Sequence, residues 1–485
     1  MTGAASPAGR AHTAPAPTAA PAARGASGGR DGLDGRAAAR LLAPLADRVH
    51  RPGDPAYRDA LRLWNTRTAA EPAAVVRPAT ADEAARAVLA AREAGLEPSV
   101  RGGGHHVAGG AVRTDGVVVD MRGLDRVVLD PGTGRVTAGA GATWRDVAAA
   151  TVPYGRAVPT GNAPSTGVVG VALGGGIGVF TRAWGLTCDR VVRVGLVDPE
   201  GRRRDVGPDR DPDLFWLARG AGRGIGVVTE IEFDTRPVAP EIATAQAFYP
   251  LSDAVDVLEA FARAVGASPD QVSPQATLRR LPDSAGLPPA LRGRWLVAVG
   301  AAYAGPPHEA GPVLEPFRRL GEPVADLSGD HPVQEPAQPW RSTLRAHSFG
   351  AFLDALGPAT VRTIAAAFGG GRPPGASVTL RSMGGAAAEA DDDATAFAHR
   401  RARFLLTAQA EWDDPRDDEA CTAWCEALER SVRSEGATGV YGNFCADLEG
   451  FAARRADAYG ATDRIDAILR RHDPDGVFRG MAMRP

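Results

Sequence analysis

The chain has 485 residues, 44% hydrophobic and 23% charged, with a formal net charge of −3. This is the balance of a globular protein with more than one core, and it lacks the basic excess that nucleic-acid binding selects. All 55 cationic side chains of the Lys and Arg classes are arginines, which excludes a Walker A phosphate loop and a lysine Schiff base. The four cysteines are too few for a disulfide scaffold, and no apolar run is long enough to span a membrane.

Residues 1–35 are rich in Ala, Pro, Gly and Ser and lack the apolar segment of a signal peptide. They read as a disordered leader on a cytoplasmic protein. Within them Gly25 to Gly29 spells G-A-S-G-G, a nucleophile-elbow pattern without the strand–turn–helix context that a catalytic serine needs. A short helical lead-in is expected from Arg36 to Trp64, with a turn at Pro52 to Pro55. Ala74 to Val76 reads as a strand. Thr80 and Glu83 form a capping box for a helix to Glu93 that Gly95 stops, and a second strand reaches Val100. R-G-G-G-H-H (Arg101 to His106) follows this β-α-β unit, at the carboxyl end where α/β folds place ligands. Its glycines permit close backbone approach, and consecutive free N–H groups make a concave anion site suited to a pyrophosphate.

Further strands are predicted at Val117 to Asp120 and Arg135 to Ala138, and Thr143 with Asp146 caps another helix. A second glycine run spans Pro159 to Gly178 (P-T-G-N-A-P-S-T-G-V-V-G-V-A-L-G-G-G-I-G), and Leu186 to Asp198 returns to strand. Asp211 to Trp216 opens a helical turn leading to a third run, Arg219 to Glu230, and the strand Ile231 to Phe233. Gly220 to Gly226 does not have G-x-G-x-x-G spacing. The three runs either wrap one long cofactor, which is the simpler account, or are close-packing turns.

Beyond Pro237 the glycine runs thin out. Helices are expected over Asp253 to Val265, Val313 to Leu320, Glu419 to Val432 and Thr462 to Arg471. Strands are expected over Trp295 to Val299, Arg403 to Trp412 and, briefly, Gly439 to Val440, with a proline-rich loop over Pro332 to Pro339. Cys421 and Cys425 share an apolar stripe and read as core. Gln409 and Glu411 alternate on one strand and so face one side, either solvent or a pocket. The other histidines are scattered without metal-ligand spacing, so no metal site is expected.

R-G-G-G-H-H, the run from Pro159 to Gly178, G-L-T-C-D (Gly185 to Asp189), D-P-D-L-F-W-L-A-R-G (Asp211 to Gly220), G-V-V-T-E (Gly226 to Glu230), Y-G-N-F (Tyr441 to Phe444) and R-H-D-P-D-G-V-F (Arg471 to Phe478) occur in this order. The set resembles the berberine-bridge-enzyme-like FAD-linked oxidases, which carry the PCMH-type FAD-binding domain of the vanillyl-alcohol-oxidase superfamily. The resemblance covers nearly everything after about Leu41. It implies an α+β fold in two domains: an FAD domain over residues 36–237 completed by 439–485, with an antiparallel-sheet substrate domain, 238–438, inserted between.

Carried over residue by residue, the resemblance implies that Arg101, Gly102, Gly103, Gly104 and His105 form the pyrophosphate loop. His105 stands where the family attaches the flavin ring methyl through an imidazole nitrogen, and His106 where it usually has a small or polar residue. Gly161, Ala163, Thr166, Gly167, Gly170, Gly174, Gly178, Gly226, Val228 and Asn443 complete the cofactor contacts. Tyr441 matches the Y-x-N tyrosine over the flavin and is the candidate catalytic base, a phenol whose ordinary pKa near 10 needs a neighbouring charge to shift it.

Three departures stand out. Bicovalent members have a cysteine at Ala163, so a single link through His105 is expected. Thr166 replaces a commoner aliphatic residue that influences oxygen access. Arg223-Gly224-Ile225 replaces Gly-Asn-Phe, leaving Arg223 either at solvent or on the FAD phosphates. The implied reaction moves a hydride from a C–OH or C–NH carbon of a small molecule to covalent FAD and then to O₂. A dehydrogenase with another acceptor and a flavin-binding protein without turnover are the alternatives. Substrate identity and oligomeric state do not follow.

Overall fold

The computed structural model describes residues 32–482 except 69, 115, 162 and 334–343. The G-A-S-G-G segment and most of the proline-rich loop lie outside the described residues. The leader boundary moves: Leu33 is fully buried in the first core, so the folded part begins before Arg36.

Three large sheets organise the chain, beside a two-stranded pairing of Arg156–Ala157 with Arg236–Pro237. The first has strand order Val49–His50, Ala74–Val76, Val117–Asp120, Pro98–Arg101. The last three strands run parallel, and the first is antiparallel to its neighbour. The helix Ala81–Glu93 makes the crossover. The Thr80 hydroxyl accepts from Glu83 N, and the Glu83 carboxylate accepts from Ala79 N at 2.7 Å. Its buried stripe of Ala84, Ala87, Val88 and Ala91 lets helix and sheet approach closely, since alanine adds little bulk.

The second sheet is antiparallel, in the order Val127–Asp130, Arg135–Gly139, Val227–Asp234, Val191–Val197, Arg203–Val206. Its apolar residues share one core with the first sheet and with Ile465, Ile468, Leu469 and Phe478 of the C-terminal segment. The predicted strand from Leu186 starts later than expected. Asp189 folds back to accept from Leu186 N at 2.8 Å and turns Thr187–Arg190 into a 3-10 helix.

The third sheet contains Glu241–Pro250, Trp295–Tyr303, Val272–Arg280, Ser377–Ser382, Phe404–Trp412 and Arg345–Leu353, side by side and antiparallel, with two short edge strands. Helices Ala254–Ala267, Ala310–Arg318, Pro358–Ala367 and Asp418–Ser434 cover one face and bury a second core with it. Cys421 and Cys425 belong to that core. The strand expected at Gly439 to Val440 does not form. Gly439 takes φ +61°, where an added Cβ would strike the His399 ring, and the chain turns there instead.

A third, smaller cluster lies between the two large cores. It joins Ile177, Leu186 and Cys188 to Phe352, Phe397, Leu405 and Tyr441. The uncovered face of the large sheet meets the glycine runs at this point. Among the described residues, no helix is long and apolar enough to cross a membrane.

Candidate active site

The two glycine runs touch backbone to backbone. A Cβ on Gly103 would lie 2.4 Å from Gly167 N, and one on Gly178 only 1.5 Å from Thr160 O. No side chain fits at either place, so the residue type follows from the packing. Gly174 meets Asn443, whose amide oxygen would lie 2.2 Å from an added Cβ. These contacts bring Gly102 to His106, Ser165 to Gly167, Gly174 to Gly178 and Tyr441 to Asn443 together from three distant stretches.

Within this group, the His105 ring stacks on Trp64 with centroids 6.0 Å apart. Burial pushes its pKa down to about 4, opposed by a hydrogen bond with the Ser165 backbone. The ring is therefore neutral at pH 7, the form in which an imidazole nitrogen is nucleophilic. His106 faces the other way. Its Nε2 lies 3.0 Å from Gly442 O and 2.7 Å from Arg223 Nη2, and its Nδ1 accepts from Ala108 N at 3.2 Å. Burial, aided by the Arg223 charge, holds its pKa down to about 3. Arg223 also donates to Gly442 O at 3.1 Å and lies over the Phe451 ring. It turns inward and ties the first and third glycine runs to the Tyr441 segment.

Tyr441 is buried, with its ring against Phe352, Phe397 and Phe444. Its backbone N–H donates to Gly350 O at 3.0 Å, and the bare Cα of Gly350 leaves room for the tyrosine Cβ. The phenol oxygen accepts from Gly176 N and from Asn443 Nδ2, both at 3.2 Å. Burial raises its pKa to about 12; the two donors and the Arg381 charge oppose this only in part. A neighbouring charge of the kind the sequence reading called for is present as Arg381, from the large sheet, but it does not bring the phenol below its ordinary value. Its Nη1 donates to Thr407 at 3.2 Å, and its guanidinium covers Phe444. Thr407, Gln409 and Glu411 follow on the uncovered face of the same strand, and Gln409 Nε2 donates to Glu411 at 2.6 Å.

Other expected cofactor residues are placed differently. The Arg101 guanidinium turns away from the loop to Ala60 O, Arg62 O and the fully buried Asp120, which Arg77 and Arg122 also pair. Only the Arg101 backbone can belong to an anion loop. Val228 packs its side chain in the first core and pairs with Leu196, and Gly226 (φ +121°) lies against Val197 O. Thr166 donates to Ala163 O at 2.7 Å, closing the turn that carries Ala163. Gly170 is exposed, with open space at its Cβ position, and Gly161 is half-buried. Cys188 is fully buried and its thiol pKa is pushed up, so it is inert.

The sequence reading missed Trp64, Arg381 and Asn65. Asn65 is buried and bridges the two halves, donating to Val107 O at 2.5 Å and Ala346 O at 2.9 Å and accepting from Ala346 N at 3.0 Å. No motif marks any of the three, because their roles depend on pairings across long sequence separations.

Backbone loops that exclude side chains, an uncharged histidine beside them and a buried tyrosine next to the polar sheet face meet at one place. An FAD binding domain model matches residues 72–207. An uncharacterized FAD-linked oxidoreductase of Bacillus subtilis is 27% identical over 90% of this chain and 96% of its own length. The (R)-6-hydroxynicotine oxidase of Paenarthrobacter nicotinovorans is 34% identical over 40% of this chain, a match spanning 43% of that enzyme. Among solved structures, BBE-like 1 of Physcomitrella patens superposes with TM-score 0.80 at 22% identity, covering 91% of this chain and 97% of that one. The 6-hydroxy-D-nicotine oxidase of Arthrobacter nicotinovorans gives TM-score 0.78 at 25% identity, covering 89% and 96%. These matches place an FAD binding domain within residues 72–207 and make the chain similar to FAD-linked oxidoreductases over 90% of its length.

Proposed function

We propose that this enzyme oxidises a C–OH or C–NH group of a small molecule, with FAD linked through His105 and O₂ as the final acceptor. Bound FAD supplies the two-electron acceptor for the substrate hydride. In this reading residues 36–237 and 439–485 hold the cofactor and residues 238–438 supply the substrate face. The shared core of the first two sheets with the C-terminal segment supports that division. So does the separate core of the third sheet.

The observation that carries the reading is the position of Tyr441. Its hydroxyl is fixed by Gly176 and Asn443 where the glycine runs meet the polar sheet face. With a pKa near 12, ionising it at pH 7 costs about 7 kcal/mol. Tyr441 therefore rests as a phenol. It orients the substrate O–H or N–H by a hydrogen bond, and the proton released with the hydride passes to solvent, because a phenol that keeps its own proton cannot take a second. His105 is neutral and fixed against Trp64, which suits it as the covalent anchor. The Gly102 to Gly104 backbone, with Gly161 to Gly178 beside it, would line the cofactor.

A panel of sugars, amines and aromatic alcohols, read for anaerobic bleaching of the flavin and for peroxide under air, tests the reaction. Bleaching with peroxide supports oxidase chemistry, bleaching without peroxide assigns another acceptor, and no bleaching across the panel contradicts turnover. With a substrate in hand, Tyr441→Phe is expected to keep its flavin and lose about a hundredfold or more in the anaerobic reduction rate. An unchanged rate removes Tyr441 from the chemistry.

A further inference from the structure

The uncovered face of the large sheet carries a half-buried cation whose bonding is incomplete. Arg381 projects from the strand Ser377–Ser382, paired across to Leu405, beside Thr407 on the neighbouring strand. Nη1 is used by Thr407, and one face of the guanidinium is covered by Phe444, whose ring packs against Tyr441. No carboxylate among the described residues pairs with it, whereas Arg400 has Asp189, Arg345 has Asp418 and Arg455 has Asp466. The nearest acid on the same strand face, Glu411, lies two alternations beyond Thr407 and is engaged by Gln409. The Nε and Nη2 edge thus remains open. That edge is a planar fork matching the two oxygens of a carboxylate. Arg381 is half-buried, so the edge is reached from solvent, and an anionic ligand there gains a charge-assisted pair.

We propose that Arg381 is the substrate-recognition residue of this enzyme and that its substrate carries a carboxylate, seated on the open Nε/Nη2 edge next to Tyr441. The proposal rests on the oxidoreductase reading above and narrows it. The carboxylate sets where the molecule sits on the sheet face. The carbon to be oxidised then lies on the Tyr441 side, away from Glu411, which disfavours an anionic group at the far end of the face.

Benzoate and its neutral isostere benzamide serve as probes, titrated into the flavin-loaded protein at pH 7 and followed by perturbation of the flavin absorbance. Wild type is expected to bind benzoate about tenfold or more tightly than benzamide, and Arg381→Gln to lose that preference with benzamide affinity unchanged. Flavin content and thermal melting report whether the variant is folded. If it is not, the wild-type benzoate-to-benzamide ratio still decides. Equal affinities in wild type, no benzoate binding, or a preference surviving in a folded Arg381→Gln variant each overturn the proposal. Binding needs no turnover. A carboxylate preference dependent on Arg381 in a protein whose flavin no substrate bleaches would sink the oxidase reading alone. Bleaching by neutral substrates with no anion preference would sink this proposal alone.

Discussion

His106 shows how a single side chain acts on both stability and site geometry. A free imidazole titrates near 6.5, whereas this ring, buried and faced by Arg223, titrates near 3. Between those values the unfolded chain binds a proton that the native chain refuses. The stabilising contribution is therefore complete above pH 6.5 and is lost as pH falls through this window, at up to about 1.4 kcal/mol per unit. Thermal melting of wild type should fall steadily from pH 6.5 to 4, and His106→Gln should flatten that acid limb; parallel curves contradict the assignment. Legibility was uneven at this scale. His105, Tyr441 and Asn443 stand in motifs and could be read from the chain. Arg381 stands in R-S-M-G-G, which carries no signal, and its place beside Tyr441 exists only through the register of Ser377–Ser382 on Phe404–Trp412. Arg223 had two open readings, and the structure turns it to His106 and Gly442.

At the scale of elements, the glycine runs divide into positions that packing dictates and positions it leaves free. Gly103→Ala pushes a methyl into Gly167 N at 2.4 Å, where backbone cannot yield cheaply. A loss of about 1–3 kcal/mol is expected in urea titration, together with lost flavin. Gly170 sits in the helix Val168–Leu173 with nothing near its Cβ position. Gly170→Ala should raise apoprotein stability by about 0.5–1 kcal/mol while lowering flavin incorporation if FAD passes there as proposed. Full incorporation would remove Gly170 from the cofactor contacts. Capped elements were legible: Thr80 marks the start of the helix Ala81–Glu93 by accepting from Glu83 N within the motif, although the Glu83 carboxylate reaches Ala79 N instead of Thr80 N. The Thr187–Arg190 turn was not, because Asp189 closes it by a hydrogen bond that an apolar pattern does not encode.

At the scale of the whole molecule, the candidate site lies where two separately cored halves meet. The apolar cluster around Phe352, Phe397 and Tyr441 fills the seam, and Asn65 bonds both the first glycine loop region and the strand Arg345–Leu353. Asn65→Ala leaves buried backbone groups without partners, and a loss of about 2–3 kcal/mol is expected, with both halves still folded by circular dichroism. A cost below half a kcal/mol would show that the seam cluster alone holds the halves. The composition shift near Pro237 was visible in the sequence. The strand order of the large sheet was not, since neighbours such as Ser377–Ser382 and Val272–Arg280 are a hundred residues apart and share no local pattern.

The measurement that tests the central claim most directly is the intact mass of acid-denatured protein, followed by peptide mapping. The account predicts that the denatured chain keeps a mass increment of one FAD, carried on the peptide containing His105 and lost in His105→Ala. Flavin released entirely on acid precipitation, or retained covalently in His105→Ala, would contradict it.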